Sequence, residues 1–497
     1  MTEPFDKIVS QFMSDYRFAE VCRRPLELQW LEDLRQFKGI YDPDVMSYLL
    51  EFNNRSKVYP KYTRSKVVPA IAKLNYMLFP DSERNWAIKP TPRPRVSDEV
   101  LSKIVQELSQ DGHQLTVDVV EMAVKQYAQT ACDKMETVID DQLTELKYSS
   151  ICKEAIRDGV KYGTGIIKGP LSITRQSLSI VSDGSGGFKQ VDRVEYRPFF
   201  EHVPIWHVYP DMTASSFNEC RYVFQRHRMS KGDLLRLTER LDFIGDTIIS
   251  VLRCRPGGDY VLKYWEVEHK ALSDTTSSSS VHNVYDVTEC WGYVDIHDLP
   301  DIAGVPYFDT ESVGEVFVNC WIVDNKVIKI AFEPLPRDVF PYHVFYFDKD
   351  ETSIFGTGLA RIIRDTQMIH CASWRSMLDN ASTVAGPQVE VNMDRLVEGQ
   401  RIDEFYPGKM WITKNSLENG PALRSLDFPS HTGEYLSIIQ AAEQTGDKES
   451  NLPSALFGDI ERNPNETARG VSTRNSNMNL VIDDIVGHSL GRGSLTP

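Results

Sequence analysis

Phe340-Pro341-Tyr342, then Phe355-Gly356-Thr357-Gly358-Leu359, then Asp365-Thr366-Gln367 and Leu378-Asp379-Asn380 make up the stretch on which the reading of this sequence turns. An aromatic and proline segment runs into a turn with paired glycines, and a helical pattern follows from 358 to about 381. Leu359, Ile362, Ile363, Ile369 and Met377 fall on one side of a 3.6-residue period, while Arg361/Asp365 and Arg375/Asp379 stand at i, i+4. Such a helix suits a packed bundle or ring.

Downstream, Gly386-Pro387 ends that helix, and short β-like pieces at 388–392 and 409–413 precede another helix over roughly 433–448. Asn463-Pro464-Asn465-Glu466 is a good helix start: asparagine caps, proline fits the first helical position, and glutamate reaches back. The pattern continues to about Val486, polar at first with Arg469 and Arg474, then apolar at Leu480, Val481, Ile482, Ile485 and Val486. One face of that helix is expected to meet water or a polar partner.

Upstream, amphipathic helical patterns are predicted over 5–51, 64–79 (with Pro69), 115–148 and 151–160. Lys89-Pro90-Thr91-Pro92-Arg93-Pro94 forces an extended linker between them. After Gly163-Thr164-Gly165 the sequence reads mainly as β to about Phe347. Strands are expected at 191–196, 222–226, 260–267, 316–323 and 327–332, with Asp324-Asn325 as a turn and glycine-rich 183–187 as another. Residues 275–280 are a hydroxyl-rich loop tip. The fold class predicted is α+β.

With 497 residues, 41% hydrophobic and 25% charged, the chain can bury a core of roughly three domains without disulfides or metals. It has no apolar run of membrane-spanning length, and residues 1–12 lack the pattern of a secretory signal. Cys22, Cys132, Cys152, Cys220, Cys254, Cys290, Cys320 and Cys371 are scattered singly, as expected of reduced thiols. The formal charge of −16 opposes wholesale binding to phosphate backbones, although an acidic wall would keep a passing duplex from sticking.

The motifs of enzymes are missing. Gly159 to Gly169 with Lys168 does not have the spacing of a phosphate-wrapping loop, and His202 and His207 are poorly placed for zinc. Asp348, Asp350 and Glu351 read as a solvated loop, and Asp183-Gly184-Ser185-Gly186 lacks the setting of a nucleophile. No catalytic, cofactor-binding or metal residue is assigned.

Several segments together resemble the portal proteins of tailed bacteriophages. They are 55–62 through Phe79, Asn85-Trp86-Ala87-Ile88, the junction Asp158 to Gly165, and His207-Val208-Tyr209-Pro210-Asp211. The 340–380 stretch is the strongest match, and Tyr406-Pro407-Gly408 and Asn465 to Gly470 follow in the same order, so the likeness covers about 50–486.

The resemblance implies a portal fold: a wing over 1–355, a first stem helix over 356–383, a clip over 384–430, a second stem helix over 431–450, and a tunnel loop and helix over 451–490. It also implies a cyclic homo-oligomer of about twelve subunits. The ring would sit at one capsid vertex of the virion, after assembly in the host cytoplasm. Double-stranded DNA would pass through it in packaging and ejection, without sequence specificity. Implied partners are the large terminase subunit, tail-adaptor proteins, and the major capsid and scaffolding proteins. No cofactor and no membrane are implied. Arg462, Arg469 and Arg474 become candidates for contact with DNA in the channel. The family usually continues into a helical crown, whereas this chain stops at Pro497, so a missing or truncated crown is expected. Two alternatives stand beside the portal reading: a nucleic-acid-processing enzyme with an unrecognised site, and another structural virion ring such as a tail adaptor, though adaptors are usually much shorter.

Overall fold

A computed structural model describes residues 5–52, 55–80, 86–110, 116–182, 188–273, 283–296, 314–332, 335, 339–386, 388–404, 406–414 and 421–450. The first half of the chain holds helices α1 (Asp6–Lys38), α2 (Pro43–Glu51), α3 (Tyr62–Leu78), α4 (Asp98–Gln110), α5 (Val117–Glu145) and α6 (Tyr148–Tyr162). Strands β1 (Thr164–Ser182), β2 (Phe188–Val203), β3 (Val208–Pro210) and β4 (Tyr222–Ser230) come next, followed by helices α7 (Lys231–Leu237), α8 (Gly245–Cys254) and α9 (Tyr264–Leu272). Strands β5 (Val284–Asp295), β6 (Glu315–Val323), β7 (Lys326–Phe332) and β8 (Tyr342–Tyr346) complete the β-rich part. Helices α10 (Leu359–Ile362) and α11 (Arg364–Ala385), strands β9 (Gln388–Val391) and β10 (Leu423–Leu426), and helix α12 (Thr432–Glu449) close the described chain. This mixture of helix and sheet agrees with the α+β expectation.

Two compact units divide these elements, one from 1–34 and 67–361, the other from 35–66 and 362–450 as far as described. In the first unit an antiparallel sheet of order β3-β4-β5-β6-β7 is buried on both faces. One face carries Phe224, Cys290, Val294, Val318 and Cys320 against Ile8, Phe12, Tyr16 and Ala19 of α1. Val223, Trp291 and Phe317 alternate with these and join Trp30, Leu31, Trp206 and Trp265. A second sheet of order β2-β1-β8 is antiparallel as well, and its β1–β2 pairing shifts register between Lys168 and Leu171, around Pro170, which has no N–H to donate.

Helix α1 is fixed by a fully buried guanidinium. Arg23 donates to the carbonyls of Ile205 (3.2 Å), Trp206 (3.0 Å) and Val208, pairs with Glu27, and lies 3.6 Å from the centroid of the Tyr209 ring. Each donor therefore finds an acceptor, which offsets the cost of removing the charge from water.

In the second unit α11 and α12 pack antiparallel, as Thr366 reaches Glu449 (2.9 Å), His370 reaches Glu443 (3.1 Å) and Asn380 reaches His431 (3.0 Å). Strands β9 and β10 pair antiparallel beside them in sequence, with an isolated bridge between Leu396 and Thr413.

Some sequence expectations change. The helical stretch 5–51 breaks at Gly39 (φ +78°), and α2 restarts on Pro43. The stretch 115–148 divides at Lys147, which has φ +53°. Residues 260–267 are not a strand: the Glu266 carboxylate accepts from Lys263 N (2.8 Å) at the first turn of α9. Of the two places open to Pro69, inside or before its helix, it takes the inside of α3. Asp324 and Asn325, at φ +48° and +59°, do form the β6–β7 turn. The glycine-rich turn at 183–187 and the loop at 275–280 lie outside the described residues.

Candidate assembly surface

Two glycine motifs far apart in sequence form one junction in the first unit. Helix α6 ends in a left-handed C-cap at Gly163 (φ +94°), whose N–H donates to Gly159 O at 2.8 Å. Thr164 Oγ1 accepts from Gly356 N (2.8 Å), and Gly163 O accepts from Phe347 N (3.1 Å). A Cβ on Gly165 would lie 1.9 Å from Ala155 O, and one on Gly358 would lie 2.4 Å from Lys161 O. These glycines let backbone approach backbone, which no other residue permits.

Lys168, which follows that motif in sequence, is committed elsewhere. It lies 3% exposed with its ammonium 2.5 Å from Glu289, which also accepts from His227 (2.7 Å), Trp291 Nε1 (2.8 Å) and Asn319 (3.3 Å). Burial alone pushes the Glu289 carboxyl upward, but the Lys168 charge and the bonds from His227 and Lys168 outweigh it and hold the group well below the ordinary carboxylate range. The cluster ties β1 to β5.

Other candidates for chemistry do not converge. His202 pairs with Asp158 (3.0 Å), whereas His207 packs edge-on against Trp265, and burial helped by Arg226 lowers its pKa to about 4. Asp350 accepts from the Thr352 backbone (2.8 Å) and hydroxyl (2.7 Å), so it caps its own turn. Burial raises the thiols of Cys152 to about 11 and Cys220 to about 12, which opposes thiolate formation. Among the described residues no three His, Cys, Asp or Glu side chains group to hold a metal ion. Arg462, Arg469 and Arg474 lie outside the described residues.

In the second unit the motif residues are fasteners. Gln367, 1% exposed, accepts from Thr63 N (2.8 Å) and its hydroxyl (3.0 Å), and donates to Pro60 O (2.8 Å) and Cys371 Sγ (3.0 Å). Asp379 accepts from Ser56 N (2.7 Å), and Asn380 holds both Pro429 O (3.3 Å) and His431 N (3.0 Å). Tyr62 stacks on His370 and donates to Glu443 O at 3.1 Å.

The same unit leaves much apolar surface uncovered. Ile363 and Met377 are buried as expected, as is Leu359 in the first unit, but Ile369 is half exposed beside Met368 on α11, because the 3.6-residue pattern cannot tell a side covered within the chain from one left open. Leu436 and Ile438 do the same on α12. Around the β9–β10 pair, Met410 is 88% exposed, and Met393, Tyr406, Ile412 and Phe428 are also exposed. Single exposed apolar residues need no explanation, but these cluster in the segments that flank a two-stranded sheet in sequence, and such a sheet is marginal by itself.

The fold is α+β, and the described residues of the 158–165, 355–359 and 365–380 motifs are engaged in packing and hydrogen-bond contacts. A family model described as the phage SU10 portal protein matches residues 185–450, more than half of the chain, and the protein belongs to the tailed-phage portal protein family. That family is structural and belongs to the phage virion. No curated protein matches the chain. Among the described residues no helix is long and apolar enough to cross a membrane.

Proposed function

We propose that this chain assembles into a closed ring of about twelve copies at one vertex of the capsid, forming the channel through which double-stranded DNA is packaged and ejected. The family match over 185–450 carries this reading. The exposed apolar side chains of α11, α12 and the β9–β10 region support it, since side-by-side copies would cover them. In this scheme 1–355 is the wing, 356–383 and 431–450 are the stem helices, and 384–430 is the clip on which the large terminase and later the tail adaptors dock. Capsid and scaffolding proteins meet the wing, and 451–490 faces the channel with Arg462, Arg469 and Arg474.

Negative-stain images of the purified full chain, with a mass measurement, test the ring. Closed rings seen down their axis are the expected result. A strictly monomeric mass across micromolar concentrations overturns it.

A further inference from the structure

Helix α1 has two apolar faces and uses one of them. Its inner face, from Ile8 to Trp30, lies in the core and is pinned by Arg23. Its outer face carries Phe18, Val21, Pro25 and Leu28, with Phe18 50%, Val21 71% and Leu28 44% exposed and Pro25 exposed as well. The spacing of three, four and three residues is that of a helix–helix seam. Pro25 has no N–H to give to the carbonyl of Val21, so that carbonyl is also left without its helical donor. Helix α9 lies alongside, joined by the Lys263–Glu20 ion pair at 2.6 Å, and adds exposed Tyr264 and Val267.

We infer that this outer face of α1 is the docking surface for a second copy of the chain, whose helix α5 it receives. The inference rests on the ring reading, in which every copy offers its two neighbours two different faces. Helix α5 exposes a matching seam. Tyr127, Met135 and Val138 are 47%, 54% and 57% exposed, and with half-buried Ala131 they recur at spacings of four, four and three. Each seam extends over about 15 Å at 1.5 Å per residue, so four side chains of one can interleave with four of the other.

Charge favours the same pairing. Helix α5 holds seven acidic residues against two basic ones. Arg17 and Arg24 flank the α1 seam, exposed, seven residues apart and without an ion-pair partner among the described residues. A copy with net charge −16 would present its most acidic helix to those cations.

The test places p-benzoylphenylalanine at Phe18 in the full chain, mixes isotopically light and heavy copies, irradiates the assembled rings and maps the linked peptides. Cross-links between copies that end within 117–145 are expected. Intact rings whose cross-links end elsewhere, or stay within one copy, overturn the α1 surface and leave the ring reading standing. Rings that fail to form from the unmodified chain overturn the ring reading itself. A second variant, Val21→Asp with Leu28→Asp, alters only exposed positions. It should shift the assembled fraction at least tenfold toward monomer with an unchanged far-UV spectrum, and undiminished assembly refutes the surface.

Discussion

Gly163 and Gly356 approach so closely that a Cβ added to Gly163 would lie 2.0 Å from the Gly356 carbonyl oxygen. The contact joins the end of α6 to the turn before α10, and it is the physical reason that both stretches carry paired glycines.

Gly163→Ala is therefore expected to be among the most damaging single changes. It combines a backbone clash with φ +94°, where an L side chain is strained, and should cost upwards of about 4 kcal/mol. Gly433→Ala is the control: nothing lies within 4 Å of its Cβ position, and in a helix the change should stabilise by roughly 0.5 kcal/mol. Urea unfolding of the two variants against the parent measures both.

Glu289→Gln should cost about 3–5 kcal/mol, because it leaves the Lys168 ammonium buried without a counter-charge. Lys168→Met added to Glu289→Gln should recover part of the loss, since the glutamine carbonyl still accepts from Trp291. The acid behaviour follows from the same site. The folded pKa lies below the unfolded value of 4.5, so the stabilisation is complete above 4.5 and declines as pH falls below it. A thermal-melt series below pH 4.5 should be flatter for the double variant than for the parent.

His207 acts in a higher window. Its pKa is about 4 in the folded protein and 6.5 ordinarily, so the unfolded chain takes up the proton first. Stability is fully present above 6.5 and falls as pH drops toward 4, by roughly 3 kcal/mol at most. His207→Phe removes that proton and keeps an aromatic ring beside Trp265. Melts of the parent should drop between pH 6.5 and 4, and those of the variant should not drop there to the same extent.

Gln367→Leu tests the fasteners of the second unit. It strands Thr63 N and Pro60 O, whose partners are both on Gln367, and should cost about 1–3 kcal/mol. Amide exchange at Thr63 should quicken more than exchange elsewhere in the unit.

The sequence makes some of these features legible and hides others for definite reasons. Gly163, Gly165, Gly356 and Gly358 stand out because close backbone approach leaves no alternative residue. Asp324-Asn325 is readable for a similar reason, as both residues tolerate positive φ. Tyr260 to Val267 misleads: its aromatic and β-branched residues favour a strand, but the Glu266 bond to Lys263 N starts a helix, and Arg226 gives that carboxylate a buried partner at 3.2 Å. Lys168 and Glu289 stand 121 residues apart and become partners only when β1 meets β5. The exposure of Ile369 and of the outer α1 seam is equally hidden, because a periodic pattern shows that a face is apolar and not what covers it.

The arginines proposed for the channel make the last prediction. Arg462, Arg469 and Arg474 lie in a polar stretch of a strongly acidic chain, where a planar fork of donors could touch passing phosphates and release them again. The competing role is to bridge neighbouring copies, and the two roles differ in what their loss does. Replacing all three with glutamine removes the charge and keeps amide donors of shorter reach. If the residues contact phosphates, rings remain intact while DNA packaging and retention fall, and the loss is the same for DNA of any sequence because phosphate contacts carry no base information. Unchanged packaging and retention in intact rings would remove the phosphate role. Rings that come apart in the triple variant, measured by mass before any DNA is added, assign the arginines to subunit bridging instead.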